Sequence, residues 1–540
     1  MTRSCFSLTA HFLTAVVFVA AVAACGGRSG AWDRERLVLG PIPLKNQVAY
    51  VDSARDEVIV VDVQDPGAPV VRTYAIGRRA IYAVPTPDRE HLAVITRGQE
   101  AYYEGEIDEA PALWLIDTAD PAATPVAYAI GSPFDRLAIA DPAGDAGPIA
   151  VAYFSASGPD SDGFFRNPNE LAVIDLARPA ADDNPVIKTV RSFGAAPSGV
   201  VLSPPMVLPG AADPTPRIFA LILAVNTVTI IDVTHPERDE VSVRLGTGGT
   251  GVTPREVVFA PQTATAYLRS DGASDVLEIL LSYEAPATEN ATDNDYQPAL
   301  AELGANSTPT DIAVYDDPTG RRLILAATAS PSQLVVIDAD SGQFRAIPTP
   351  APMNRVLLFP QGGDIAPRMA ILTHLGSPVA YRLPLSGITE DLTPARLEPV
   401  AVDKPILDIV PVPGQDRAMI VHDDNREVLS LLDVGIGSVS PLEGIGRLDS
   451  YAFAADGSQL IGITDGFGRV GFLDLDNLHP SDMRLDDPPV QVFAMPNGAV
   501  FIDHGDSLGL ATVLPSTAAD RSEAVVLSGF LLAEILDEGR

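Results

Sequence analysis

One short phrase recurs along this chain and constrains the fold more than any other feature. It is an apolar stretch that ends in Asp and runs into a polar turn, as in EVIVVDVQDPGAP at 57–69. The closing aspartates are Asp62, Asp117, Asp175, Asp232, Asp338, Asp433 and Asp474, and degenerate copies end at Leu281, Leu383 and Leu514. Recurrence at intervals of 40 to 58 residues indicates a repeat architecture.

Each interval has the same internal order of strands and turns. In 303–342, the strands DIAV, LILAAT and LVVIDA are separated by turns rich in Asp, Pro and Gly, and FRAIPT follows as a fourth strand. One four-stranded sheet cannot bury both of its faces alone, whereas radial packing against neighbouring sheets can. The sequence therefore predicts an all-β fold, a β-propeller of four-stranded antiparallel blades. We expect the recurrent Asp to accept hydrogen bonds from backbone N–H groups of the following turn.

The repeat unit resembles the YVTN family of β-propeller repeats. Gly304, Pro309, the strand 312–314 and the phrase 335–338 match that pattern, and 193–204 repeats its opening. The stretch IVVDVQDPGAPV also looks like the LVIVD repeats of related exported propellers. The resemblance covers most of the array and implies the fold, but no particular activity.

Ten units exceed the typical number of blades in a propeller, which is about four to eight. We expect a single large ring of about 8–10 repeat units, with one or two of the ten merged, and two rings of five are the alternative. Residues 36–40 and 524–536 flank the array and are expected to close the ring by completing one blade from both ends. A C-terminal helix is the other interpretation of the second segment.

The N-terminus has the features of an export signal. Arg3 precedes an apolar run that is too short for a comfortable membrane span and ends in Val-Ala-Ala-Cys25. This ending resembles the lipobox of bacterial lipoproteins, in which the cysteine is lipidated and becomes the new N-terminus. The predicted domains are a lipoprotein signal peptide over 1–24, a flexible tether over 25–36 and the propeller over 37–540.

An ordinary signal peptide cleaved near Ala24 is the alternative, although it would leave Cys25 as a lone thiol in an exported protein. Gly26 follows the cysteine, at a position where an Asp retains many lipoproteins at the inner membrane. The resemblance therefore implies a lipid anchor in the bacterial cell envelope, on the periplasmic side, with the outer membrane favoured.

The chain is strongly acidic, with 36 Lys and Arg against 71 Asp and Glu and a net charge of −35. Such a field repels nucleic acid and attracts divalent cations or basic protein partners. Solubility alone is the alternative interpretation of this charge. Calcium is the one cofactor for which the sequence offers a candidate site.

In a propeller, the loops that join second to third strands lie on one face, which we call the loop face, together with the connections between blades. Here these loops are acidic and are expected at 52–57, 100–109, 157–170, 270–275, 422–427, 464–469 and 503–507. The opposite loops are expected to be shorter and plainer. The predicted binding residues are Tyr102, Tyr103, Phe164, Phe165, Asp423 and Asp424. A merely solvated rim is the alternative.

Loop 157–170 partly resembles a calcium-binding loop. Asp160 and Asp162 have the correct mutual spacing, but Gly158 stands where the first carboxylate should be, and Glu170 comes one position late. The candidate metal ligands are therefore Asp160, Asp162 and Glu170.

Catalytic motifs are scarce, since the sequence has no G-x-S-x-G, P-loop or C-x-x-C motif. The candidates for a metal centre on the loop face are His422 with Asp423 and Asp424, and His504 with Asp503 and Asp506. The leading hypothesis is a lipid-anchored, non-enzymatic binding or scaffold propeller. A metal-dependent hydrolase, by analogy with lactonase propellers, is the alternative, and an assembly factor for envelope proteins is a third hypothesis.

Overall fold

Ten four-stranded antiparallel sheets make up the fold, and each is formed by four consecutive strands. The structure, a computed structural model, describes residues 37–99, 108–140, 147–155, 167–178, 185–190, 197–212, 214–246, 251–286, 288, 290–361, 366–393, 396–423, 429–442, 448–464, 468–517 and 520–532. The prediction of a propeller of four-stranded blades is confirmed. The expectation that one or two units would merge is wrong, because every repeat supplies all four strands of its own blade.

The first five blades comprise β1 to β20. Blade 1 contains β1 (Val38–Pro43), β2 (Gln47–Asp52), β3 (Glu57–Asp62) and β4 (Val70–Ala75), and blade 2 contains β5 (Ala80–Pro85), β6 (His91–Thr96), β7 (Ala112–Asp117) and β8 (Val126–Ala129). Blade 3 contains β9 (Arg136–Ala140), β10 (Ile149–Tyr153), β11 (Glu170–Asp175) and β12 (Val186–Thr189). Blade 4 contains β13 (Gly199–Leu202), β14 (Phe219–Ala224), β15 (Thr227–Asp232) and β16 (Val241–Arg244), and blade 5 contains β17 (Thr253–Ala260), β18 (Thr265–Asp271), β19 (Val276–Tyr283) and β20 (Tyr296–Leu303).

The other five blades comprise β21 to β40. Blade 6 contains β21 (Pro309–Asp316), β22 (Arg322–Ala329), β23 (Ser332–Asp338) and β24 (Phe344–Pro348), and blade 7 contains β25 (Arg355–Phe359), β26 (Met369–Thr373), β27 (Val379–Pro384) and β28 (Glu398–Ala401). Blade 8 contains β29 (Ile406–Pro411), β30 (Arg417–His422), β31 (Leu429–Asp433) and β32 (Ser438–Pro441). Blade 9 contains β33 (Leu448–Phe453), β34 (Gln459–Thr464), β35 (Arg469–Asp474) and β36 (Pro480–Arg484), and blade 10 contains β37 (Gln491–Ala494), β38 (Val500–Asp503), β39 (Leu510–Leu514) and β40 (Val525–Ser528).

Helical structure within the described ranges is limited to short 3-10 turns at Pro261–Thr263, Leu385–Gly387, Arg521–Glu523 and Phe530–Leu532. None of these turns is long or apolar enough to cross a membrane.

The core is divided among the junctions between blades. The second and third strands of a blade are buried on both faces, which explains their nearly continuous apolar runs, such as FALILA in β14. One buried cluster fills each of the ten junctions, including the junction between blade 10 and blade 1. The sheets therefore form one closed ring.

The ring does not close by a blade shared between the two ends of the chain. β1 belongs to blade 1 and β40 to blade 10, and each terminal blade is complete. The expected shared blade is therefore wrong, and packing closes the ring instead. Phe501 and Leu531 of blade 10 join Ile59 of blade 1 in one buried cluster.

Hydrogen bonds reinforce this closure along the height of the junction. The Tyr50 hydroxyl donates to Oδ1 of Asp503 at 2.7 Å, and the ring of Tyr50 packs on Phe530 with centroids 5.3 Å apart. Burial raises the pKa of the Asp503 carboxyl. At the other end of the junction, Asn497 donates through Nδ2 to the Val63 carbonyl at 2.8 Å and through its backbone N–H to Oδ1 of Asn46 at 3.1 Å.

The recurrent Asp ends the third strand of its blade and shapes the turn that follows, as predicted. Oδ1 of Asp62 accepts the backbone N–H of Gln64 at 2.8 Å, and Oδ1 of Asp474 accepts the N–H groups of Asp476 and Asn477. The same bond recurs at Asp117, Asp175, Asp232, Asp338 and Asp433. Seven structural turns thus explain the most conspicuous repeat in the sequence.

Candidate functional site

The antiparallel order of strands separates the connections of the blades onto two faces. Second-to-third loops and the connections between blades lie on the loop face, as expected. The opposite face, which we call the anchor face, carries the first-to-second loops and the turns after the recurrent Asp. The first strands of neighbouring blades contact one another and line the central channel, whereas the fourth strands are mostly exposed at the periphery.

The two longest loops of the loop face belong to neighbouring blades. One joins β6 to β7 in blade 2 and the other joins β10 to β11 in blade 3, and a shared buried cluster packs these blades together. Tyr102, Tyr103, Phe164 and Phe165 occur in these loops and lie outside the described residues. The loops that carry the predicted aromatic residues thus start and end in one sector of the ring.

The base of the blade 2 loop is fixed by polar contacts. Gln99 and Glu109 exchange two backbone hydrogen bonds of 2.9 Å across the base. The Glu109 carboxylate accepts the backbone N–H of Arg78 at 2.8 Å, which ties the loop to the connection between blades 1 and 2.

The predicted metal ligands are only partly within the described chain. Glu170 is the first residue of β11, and its Oε1 accepts the hydroxyl of Ser132 at 2.7 Å. Asp160 and Asp162 lie outside the described residues. Within the described ranges, no three His, Cys, Asp or Glu side chains converge as metal ligands would. The calcium hypothesis therefore rests on the sequence of loop 157–170.

Acidic residues are not confined to the loop face. Asp423 is exposed there, just after β30, and Asp424 lies outside the described residues. The anchor face carries the turns of the recurrent Asp and also the insertion 284–295 of blade 5. The expectation of a plainer opposite face is therefore wrong, and acidity alone does not distinguish the two faces.

The blade 5 insertion is held against blade 4 by a clamp of charged groups. Arg217 donates to both carboxylate oxygens of Asp295, at 2.6 and 2.8 Å, and Arg238 contacts the same carboxylate. Burial alone would raise the pKa of Asp295, but the bonds from Arg217 and Arg238 outweigh it and lower this pKa. The insertion thus has a structural role in joining two blades.

The two histidines proposed for a metal centre are engaged in structural hydrogen bonds. Nε2 of His422 lies 2.8 Å from the Ser430 hydroxyl, and Nδ1 lies 3.4 Å from the Pro405 carbonyl. His504 makes the same pair of contacts with Thr512 and Pro488. Because a carbonyl can only accept, Nδ1 carries a proton and donates, and in the neutral ring Nε2 then accepts from the hydroxyl. Each ring therefore connects a strand to the segment that leads into its own blade.

The channel wall carries a set of contacts between blades. The first strands have a free inner edge, where backbone N–H groups need partners. In three blades a side chain of the preceding blade accepts such an N–H: Tyr153 from Val200, Asp311 from Val356 and Ser450 from Val492. The bonds of Asp311 and Ser450 join neighbouring first strands, whereas Tyr153 joins the second strand of blade 3 to the first strand of blade 4.

The most unusual electrostatic group in this wall is a carboxyl pair. Asp311 of β21 hydrogen-bonds Glu256 of the neighbouring β17, and Oδ2 of Asp311 accepts the Val356 N–H of β25 at 2.5 Å. Arg269 donates through Nε to Oε2 of Glu256 at 3.1 Å. Burial, together with the charge of Glu256, raises the pKa of Asp311 to about 6, although the Val356 N–H and Arg269 oppose this shift. Asp311 can therefore hold a proton between blades at mildly acidic pH.

Charged and aromatic groups continue around the channel. Arg355 of blade 7 pairs with Asp408 of blade 8 at 2.5 Å between Nη1 and Oδ1. The guanidinium of Arg136 lies 5.5 Å from the ring centroid of Tyr82, which joins blades 2 and 3 by a cation–π contact. The wall of the channel is therefore polar and tightly connected.

Sequence reasoning missed this channel wall. Several first strands have a β-bulge near their start. The residue that follows the bulge is polar in four of these strands: Glu256, Asp311, Asp408 and Ser450. A polar residue at one position of several first strands was a signal in the sequence. Its partners, however, come from other blades and could not be identified by spacing.

Comparisons with known proteins found only distant structural similarities. No family model and no curated protein matches this chain, so the likeness to YVTN and LVIVD repeats remains one of pattern. Among solved structures, it aligns with dihydro-heme d1 dehydrogenase NirN in complex with DHE at 12% identity over 91% of this chain and 78% of that chain, with a TM-score of 0.36. It also aligns with Kuenenia stuttgartiensis hydrazine synthase at 16% identity over 60% of this chain and 95% of that chain, with a TM-score of 0.30. Similarity this low carries no argument about activity.

Proposed function

We propose that this protein is a lipid-anchored β-propeller of the bacterial envelope that acts as a binding or scaffold module. The supporting observation is that the two longest loops of the loop face start and end on neighbouring blades 2 and 3. Tyr102, Tyr103, Phe164 and Phe165 belong to these loops, and aromatic side chains are typical anchors of protein interfaces. Asp423 is exposed on the same face, on blade 8, and Asp424 follows it in the sequence.

The position of the N-terminus supports an orientation for this module. Leu37 lies against the loop face, because its carbonyl accepts the backbone N–H and the hydroxyl of Ser53 at 3.0 Å each. If Cys25 carries the lipid, the tether 25–36 has a root-mean-square length of roughly 20 Å. We therefore expect the loop face to be turned towards the membrane, where it would meet partners in the same bilayer.

The chemistry of the partner follows from the charge. A chain with a net charge of −35 favours a basic protein partner or a divalent cation and disfavours nucleic acid. The lipobox and Gly26 favour the outer membrane. The pattern shared with YVTN and LVIVD repeats is compatible with an exported propeller of this kind.

Among the residues that the structure describes, no specific contact supports the metal-dependent hydrolase. Both ring nitrogens of His422 and of His504 are engaged by neighbouring oxygens. A metal at either imidazole would have to displace a hydroxyl from Nε2.

Photo-crosslinking in the envelope tests the proposed face. A photoreactive phenylalanine analogue at Tyr102 should give a protein adduct in intact cells, whereas the same analogue at Gln64, on the anchor face, should not. Repeating the Tyr102 experiment in the Cys25→Ser variant shows whether formation of the adduct depends on the lipid anchor. Equal adducts from both positions, or none from Tyr102 with the anchor intact, would contradict the proposal.

A further inference from the structure

A recess in the channel wall lies apart from the proposed loop face. It has a volume of about 630 Å³ and is lined by the first strands of blades 9 and 10, at 449–452 and 490–495. Pro43, Leu44 and Arg89 complete its lining near the anchor face. Cavities of about 300 to 1,000 Å³ are the size that holds small ligands.

The recess follows the free edge of a β-strand. β37 is hydrogen-bonded to β38 on one side only, so its other edge faces the channel. The Val492 N–H points to this edge, where it donates to the Ser450 hydroxyl at 3.2 Å, whereas the Met495 N–H points to the Ala499 carbonyl of its own blade. Because strand groups alternate, Ala494 presents its N–H and C=O to the recess. A free strand edge of this kind can take an extended peptide by β-augmentation.

The lining carries a negative charge at one end of the strand and a positive charge at the other. Its charged residues are Asp449 and Arg89, and they lie at opposite ends. Asp449 is at the start of β33, near the loop face, whereas Arg89 is in the loop between β5 and β6, on the anchor face. Between them lie Phe493 and Tyr451, and Tyr451 is 37% exposed.

This polarity matches that of a free oligopeptide. An ammonium group at Asp449 and a carboxylate at Arg89 would each meet an opposite charge, and apolar side chains would contact Tyr451 and Phe493. The lining segment 490–495 has a length of about 17 Å, which an extended peptide of about four or five residues would span.

We propose that this recess binds a short extended peptide with free ends, its N-terminus towards the loop face and its C-terminus towards the anchor face. The site uses none of the predicted binding residues of the loop face and does not depend on the lipid anchor. Its success or failure is therefore independent of the function proposed above.

Calorimetric titration of the protein with Ala-Phe-Ala-Leu tests the proposal. The free tetrapeptide should bind, and N-acetylation or C-amidation should each weaken binding about tenfold, as for loss of a hydrogen bond to a charged group. In Asp449→Asn, N-acetylation should have no further effect, and in Arg89→Gln, C-amidation should have none. Both side chains are exposed, so the variants should fold like the parent protein.

Asp482→Asn and Arg368→Gln are matched controls, because they remove exposed charges outside the recess. They should preserve both capping effects. No binding of the free peptide at about 1 mM would overturn the proposal. Equal binding of free and capped peptides, or capping effects that persist in Asp449→Asn and Arg89→Gln, would overturn it as well.

Discussion

Replacing Asp311 by Asn should stabilise the protein at pH 8 and leave it nearly unchanged at pH 4.5. Asn resembles the protonated Asp: its Oδ1 can still accept the Val356 N–H, and its amide can donate to Glu256. The substitution removes a buried charge that faces a second carboxylate across the junction of blades 5 and 6.

The sign of the pH effect follows from the direction of the shift. The pKa of Asp311 is about 6 in the folded protein, whereas an unfolded Asp titrates near 3.9. Between these values the folded state binds more protons than the unfolded state, so stability falls as the pH rises through this window. The penalty is absent below about pH 4 and complete above about pH 7.

The magnitude can be set by the size of the shift. About two pKa units correspond to roughly 3 kcal/mol at pH 8. This figure already includes the bond from the Val356 N–H, which lowers the pKa of the carboxyl. A net gain of about 3 kcal/mol, with an unfolding entropy of roughly 1 kcal/mol/K for a ring of this size, raises Tm by about 3 °C.

Differential scanning calorimetry of both proteins at pH 4.5 and pH 8 measures this difference. Asp408→Asn is the matched control, since it removes a carboxylate of the same channel wall that is paired with Arg355. The control should show no gain in Tm at pH 8. A loss of Tm in Asp311→Asn that is equal at both pH values would refute repulsion between the two carboxyl groups.

Three further predictions concern the ends of the chain and the acidic loops. Deleting 529–540 removes Phe530 and Leu531 from the closing junction, so calorimetry should show a lower Tm for the whole ring; a separate transition of one blade would contradict this. Cys25→Ser should shift the protein from the membrane to the soluble fraction; unchanged fractionation would exclude lipidation. Millimolar calcium should raise Tm, with a stabilisation of about 2.7 kcal/mol at a hundredfold excess over Kd, and Asp160→Asn with Asp162→Asn should abolish the gain. An equal effect of sodium at matched ionic strength would indicate screening instead.

The blades were predictable because their signals are local. The apolar phrase before each recurrent Asp lies within one third strand, and turn chemistry marks both of its ends. Even the degenerate copies at Leu281, Leu383 and Leu514 fall in the third strands of blades 5, 7 and 10. The role of Asp as an acceptor in the following turn is equally local, since it depends on residues two or three positions away.

Ring closure was not predictable because it depends on contacts between distant parts of the chain. The contact between Tyr50 and Asp503 can be predicted only if all ten blades are identified and each terminal blade is known to be complete. The carboxyl pair of Glu256 and Asp311 has the same origin, since neighbouring first strands meet only in the ring. The roles of His422 and His504 were also invisible, because their carbonyl partners come from the connections between blades.

Crosslinking across the closing junction tests the central claim, a single ring in which blade 10 packs on blade 1. Asn46→Cys with Asn497→Cys, in a background with Cys5→Ser and Cys25→Ser, places one thiol on each side of a 3.1 Å contact between residues 451 positions apart. A short bismaleimide should convert the monomer to an internally looped product with altered mobility on a denaturing gel. The control pair Asn46→Cys with Asn306→Cys, between blades 1 and 6, should not form this product. Failure of the first pair to crosslink, or products formed only between molecules, would contradict a closed ten-blade ring.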